Sequence, residues 1–118
     1  MQVKRRDLEP FVTKDESIIT EFIHPSWTPA KNQSLAEAVV PAGKETLAHR
    51  HLVTEELYHV TRGHGLMRLG EASFEVSPGD TVLISPGEVH SIKNTGEEDL
   101  AVLCCCAPAY THEDTVLE

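Results

Sequence analysis

Three histidines and one glutamate fall in two short stretches with a shared chemistry. The first stretch runs Gly43-Lys44-Glu45-Thr46-Leu47-Ala48-His49-Arg50-His51 and continues to Glu56 and Gly63. The second runs from Gly79-Asp80 through Pro86-Gly87 to His90. Together His49, His51, Glu56 and His90 offer three imidazoles and one carboxylate, a complete protein donor set for a divalent transition metal. Fe, Mn, Ni, Zn, Co and Cu all accept such donors, and nothing in the sequence chooses among them. With neutral imidazoles a divalent site keeps a charge of about +1, and six-coordination leaves about two positions for water, dioxygen or substrate. A tetrahedral zinc holding all four side chains would instead be closed and structural.

The elements that must position these groups are strands. His49 and His51 are two residues apart, so on a strand both rings share one face and Arg50 points away. Glu56 lies five residues beyond His51 and would fall on the opposite face of an unbroken strand. A turn or bulge between Leu52 and Glu55 is therefore required, after which the chain returns antiparallel. Tyr58 and Val60 then share Glu56's face, while Glu55 and His59 share the other, which disfavours both as ligands. His90 opens a strand after the Pro86-Gly87 turn, on a face that also carries Ile92 and Asn94.

Strand signals dominate the rest of the chain. Apolar or alternating runs at residues 34–40, 47–51, 56–61, 66–69, 73–76, 81–84, 90–93 and 100–106 are separated by Gly, Pro, Asn and Asp. Short, evenly spaced strands of this kind point to a closed or double-sheet all-β structure. Met67, Phe74, Val76, Val82, Ile84 and Leu103 read as its packing residues. The opening segment, through about Lys31, is expected to be irregular, packing on the barrel or extending a sheet. The tail from Ala107 to Glu118 is polar and expected to be partly helical or frayed.

The two stretches identify the chain as resembling a cupin. That family's first motif, G-x5-H-x-H-x3,4-E-x6-G, is met by Gly43, His49, His51, Glu56 and Gly63. Its second, G-x5-P-x-G-x2-H-x3-N, is met by Gly79, Gly87, His90 and Asn94, with Ser85 where the first proline is usual and Pro86 next to it. The resemblance implies a double-stranded β-helix, a small jelly-roll barrel, formed by a single domain over residues 1–118 with its barrel core at about 33–107. It also implies a metal held inside by His49, His51, Glu56 and His90, and a homodimer. The implied activity is metal-dependent chemistry on a small molecule, with oxygenase-type reactions favoured. Sugar or keto-acid isomerase or lyase chemistry, and non-catalytic binding of a small ligand, are the alternatives. For proton transfer, Glu56 could leave the ion and act as a base. Tyr58 is accounted for equally by substrate contact and by core packing.

Composition narrows the partners. The chain has 118 residues and a net charge of -9, which repels nucleic acid and anionic lipid. No apolar run approaches a membrane span, and the basic N-terminus has no apolar stretch behind it, so neither a membrane anchor nor a signal peptide is expected. The cysteines are consecutive, Cys104, Cys105 and Cys106, and poorly placed to bridge one another. They read as reduced thiols in a cytoplasmic protein. Parity puts either Cys105 or the pair Cys104 and Cys106 on the inner face. His24, His59, His64 and His112 read as surface or turn histidines, and Arg62, Arg68 and Lys93 as solvated charge.

Overall fold

A computed structural model describes residues 1–118. Eleven strands follow one another: β1 (Phe11–Val12), β2 (Ile18–Ile23), β3 (Ser34–Val40), β4 (His49–His51), β5 (Glu55–Arg62), β6 (Gly65–Leu69), β7 (Ala72–Val76), β8 (Thr81–Ile84), β9 (His90–Asn94), β10 (Leu100–Ala107) and β11 (Thr115–Leu117). They form a six-stranded sheet in the order β1-β2-β3-β10-β5-β8 and a five-stranded sheet in the order β11-β4-β9-β6-β7. Every pairing between the strands is antiparallel. From β3 to β6 the chain alternates between the two sheets, so their inner faces close on a common core as a jelly roll does.

Period-two patterning builds that core. In β5, Glu56, Tyr58 and Val60 are buried while Glu55, Leu57 and His59 are exposed, the alternation expected of a strand with one face on the core. Met67, Ile84, Leu100, Val60 and Val102 are among the most completely buried side chains. In β10 the inward set is Val102, Cys104 and Cys106. That places Leu103, expected among the packing residues, half-buried on the outer face with Cys105.

Turns pin the register. Gly63 has φ +80, and a Cβ there would come within 2.6 Å of the Asp99 carbonyl oxygen, so no other residue fits without shifting backbone. Buried Asn94 donates through Nδ2 to the carbonyls of Val40 and Glu98 and accepts from the Gly96 amide, satisfying both ends of its amide.

Both chain ends are ordered into the sheets. The opening segment extends the six-stranded sheet: β1 pairs with β2, and β2 with β3. The tail is neither helical nor frayed along β11, which pairs Thr115 with His51 and Leu117 with His49. This strand is hidden in the sequence because it is three residues long, Thr115-Val116-Leu117, lies between polar flanks and sits at a sheet edge, where one flank faces solvent.

Candidate metal centre

β4 and β9 are neighbours, and His49 stands directly opposite His90 in their register. His51 lies one step further on the same face, and β5 of the facing sheet supplies Glu56. All four are buried, with exposures of 5% or less. Ligand nitrogens of His49, His51 and His90 lie within 4.8 Å of one another. Glu56 joins this group through two of them: its Oε1 is 3.2 Å from His51 Nε2 and 3.5 Å from His90 Nε2. It falls outside the set of mutual neighbours that includes His49.

The orientation of the rings follows from their far nitrogens. His49 Nδ1 bonds the Leu47 carbonyl at 2.9 Å, and His90 Nδ1 bonds the Glu88 carbonyl at 3.0 Å. A carbonyl only accepts, so both Nδ1 atoms carry hydrogen. His51 Nδ1 is 3.1 Å from Thr115 Oγ1, whose own hydrogen goes to the Thr111 carbonyl; Thr115 therefore accepts from His51. Each neutral ring thus turns a bare Nε2 toward the common space. Among these, His90 Nε2 and Glu56 Oε1 are buried with no hydrogen-bond partner. Two orphaned acceptors side by side are costly unless a cation or a proton lies between them. The residues fit a divalent ion on that ground.

Neighbouring groups hold the carboxylate and the turn that delivers it. The Cys106 thiol donates to Glu56 Oε2 at 3.2 Å, leaving Oε1 for the imidazoles. Burial and the Glu56 charge push the Cys106 thiol well above its ordinary range, so it stays protonated and able to donate. The chain turns between β4 and β5 at residues 52–54, as Glu56's placement requires. There the amides of Val53 and Thr54 donate to the Asp114 carboxylate, and Leu52 N–H donates to the Asp114 carbonyl. Desolvation works to raise the Asp114 carboxyl, but these amides outweigh it and hold it below the usual range. The Gly87 amide donates to the His51 carbonyl at 2.7 Å, tying the second stretch to the first.

A cavity of about 60 Å³ opens beside the cluster, large enough for several waters or one small molecule. His49, His51, Glu56 and Tyr58 line it, with apolar walls from Ile19, Ala38, Val40 and Val102. Tyr58 also belongs to the buried core, its ring 5.8 Å from that of His90, and burial raises its phenol far above the ordinary value. Cys104 and Cys106 face this cavity, which settles the parity left open by the uniformly apolar strand.

The histidines outside the motifs lie elsewhere. His59 and His64 are exposed, His59 bonding Thr81. His24 receives the Ser26 amide on Nδ1 and donates from Nε2 to the Tyr110 carbonyl, stapling the opening segment to the tail. His112 pairs with the Tyr110 hydroxyl at the surface. Arg62 and Arg68 form exposed ion pairs with Glu98 and Glu45.

The residues at the site that escape the motif reading come from two segments. One is the tail, with Tyr110, Asp114 and Thr115. The other is the turn between β1 and β2, with Asp15, whose Oδ2 lies 3.7 Å from His49 Nε2 and whose side chain lines the cavity. A signal existed for the second: Thr13-Lys14-Asp15-Glu16-Ser17 between Phe11-Val12 and Ile18-Ile19 is a hairpin pattern.

The buried groups set the acid behaviour of the metal-free protein. Desolvation, then the nearby His90, lowers His49 below 6.5 and favours the neutral ring. Below pH 6.5 the unfolded chain therefore takes up a proton that the folded state resists, and stability falls. For Glu56, burial acts to raise the carboxyl, but hydrogen bonds and charge from His51 and His90, which in the metal-free protein require a proton on Nε2 in place of the cation, outweigh it and bring it from 4.5 to about 2. Its stabilisation is full above pH 4.5 and is lost as pH falls through about 2. Urea unfolding of the metal-free protein is expected to show this decline. Glu56→Gln should flatten the part below pH 4.5, and identical slopes in both proteins would contradict the assignment.

Comparison with known proteins agrees with this architecture. A family model described as Cupin domain matches residues 36–106, more than half the chain. An uncharacterized protein of Methanocaldococcus jannaschii is 49% identical over 108 residues, covering 92% of this chain and 86% of that protein. An oxalate-binding protein of Thermotoga maritima is 32% identical over 73 residues, covering 62% of this chain and 60% of its own length. Among solved structures, a predicted oxalate decarboxylase of Thermotoga maritima superposes with a TM-score of 0.80 at 24% identity, covering 92% of this chain and 99% of that one. The nucleoside dehydratase Pac13 of Streptomyces superposes with a TM-score of 0.79 at 15% identity, covering 100% and 90%. At such identities the structural likeness speaks for the fold alone. The family match, the two-sheet jelly roll and the converging histidines together place this chain in the cupin family.

Proposed function

We propose that the protein is a metal-dependent enzyme acting on a small oxygen-bearing molecule inside the barrel, with His49, His51, Glu56 and His90 as the ligands. One observation carries this reading: bare Nε2 atoms converge on an unpartnered Glu56 Oε1 beside a cavity sized for a small molecule. The bound ion would supply a Lewis acid with free positions for substrate oxygens. The chain's own residues do the rest. Apolar walls exclude water, the Nδ1 hydrogen bonds fix the rings, and Cys106 aims the carboxylate. The name of one sequence relative, an oxalate-binding protein, supports small-molecule binding without choosing a reaction.

Oxygenase-type chemistry is the first reading, supported by a donor set that leaves positions free on a redox-capable ion. A lyase or isomerase reading is favoured by Asp15, a second carboxylate that lines the cavity and can accept a substrate proton. Oxygen-electrode assays of iron-loaded protein with small diols, diketones and phenols separate the two. Substrate-dependent oxygen uptake is expected under the first reading. Product formation at an unchanged oxygen level would replace it with the second.

The ligand assignment has its own test. His51→Ala and His90→Ala should each lose most bound metal, about tenfold or more in affinity, while circular dichroism still reports a β fold. His59→Ala should keep its metal, since that ring faces solvent. Elemental analysis showing unchanged metal in the first two variants would defeat the assignment.

The protein is further read as a cytoplasmic homodimer. Free thiols at all three cysteines support the compartment. An exposed apolar row supports the dimer: Leu35 pairs with Cys105, Cys105 with Leu57, and Leu57 with Leu83 across the outer face of the six-stranded sheet. Sedimentation should give a dimer mass for the wild type and a monomer mass for Leu57→Glu. A wild-type monomer would contradict this reading.

A further inference from the structure

Asp15 is held in the cavity by an elaborate local structure. Its Oδ1 accepts three hydrogen bonds, from Thr13 Oγ1 at 2.7 Å, Ser17 N–H at 3.0 Å and Ser17 Oγ at 2.6 Å. Its carbonyl accepts from the Leu47 amide, and the Leu47 carbonyl in turn accepts from His49 Nδ1. The next residue, Glu16, has φ 73 and is the one non-glycine residue with positive φ, a conformation that L side chains rarely adopt. Three donors saturate one oxygen and leave the other. Oδ2 has no hydrogen-bond partner; it lies 3.7 Å from His49 Nε2, beyond bonding range.

The charges around the cavity are one-sided. Asp15, Glu21 and Glu56 line it, and no lysine or arginine does. A divalent ion at the histidines would be offset by Glu56 and Asp15 together. A dicarboxylate entering beside it would meet no uncompensated positive charge and no guanidinium fork. Its second carboxylate would instead face Asp15. A hydroxyl group in the same place meets a free carboxylate oxygen, an acceptor it can satisfy.

We propose that Asp15 is the specificity-determining residue of the cavity, making it select a small neutral molecule that bears a hydroxyl group, such as a hydroxyketone, over a dicarboxylate. This rests on the metal-dependent reading above. It separates the chain from what the name of its Thermotoga relative says that protein binds. Asp15 Oδ2 accepts the ligand hydroxyl, and the same oxygen repels a carboxylate. The residue needs no movement to do this, because the turn already fixes it.

Calorimetry on manganese-loaded wild type and Asp15→Asn, with oxalate and hydroxyacetone as probes, tests the proposal. Elemental analysis of both proteins comes first. A wild type without metal defeats the metal-dependent reading itself, a result separate from the outcome for Asp15. With equal metal in both, Asp15→Asn should bind oxalate about tenfold or more tightly than wild type and hydroxyacetone about tenfold or more weakly. The amide keeps an oxygen for the three donors, so the turn should persist; Asp15→Ser provides a second variant with the same expected direction should Asp15→Asn not fold. Oxalate binding no tighter in the variants than in wild type overturns the proposal. Loss of metal from a folded Asp15→Asn also overturns it, because Asp15 would then be holding the ion rather than choosing the ligand.

Discussion

Each of three imidazoles is fixed by a hydrogen bond on the side away from the site, and the rest of the arrangement depends on that constraint. With Nδ1 committed to Leu47, Thr115 and Glu88, the rings have one tautomer and one direction. Their bare nitrogens cannot satisfy one another, since none carries a donor. Nor can they satisfy Glu56, which is itself an acceptor. Buried acceptors facing acceptors are unfavourable by about 1–3 kcal/mol each, so the cluster is stable only with a positive species among them. A barrel that buries imidazoles and a carboxylate this way is suited to holding a cation.

The two sheets explain why such a cluster is possible in a chain this short. Antiparallel β4 and β9 put His49 opposite His90, and the parity of β4 adds His51 to the same face. The facing sheet contributes a carboxylate through β5 and a thiol through β10, paired as Glu56 opposite Cys106. The chain ends then complete the site. β11 brings Thr115 to His51, Asp114 clamps the turn ahead of Glu56, and the β1–β2 turn carries Asp15 to the cavity. The jelly roll is therefore a means of assembling donors that are distant in sequence on a common inner surface.

Much of this was legible in the residues. Bounds of β3 and β8 coincide with the apolar runs at 34–40 and 81–84, because turn residues flank both. The requirement for a turn between His51 and Glu56 followed from parity alone, as did the outward direction of His59. What stayed hidden has physical reasons. β10 is apolar on both faces, so parity could not choose between Cys105 and its neighbours, nor expel Leu103 from the core. Asp15 reaches the site only because β2 joins the edge of β3, a long-range pairing that no local pattern encodes. The polar tail read as loose because its stabilisation comes from edge pairing and from Asp114, not from an apolar face.

The central claim is that one cation binds the ε nitrogens of His49, His51 and His90 together with Glu56. X-ray absorption fine structure of protein loaded with one equivalent of manganese or iron addresses it directly. We expect the imidazole scattering of three histidines in a shell of nitrogen and oxygen, with the remaining positions filled by oxygen. A spectrum with oxygen donors alone, or with a single imidazole, would contradict the assignment.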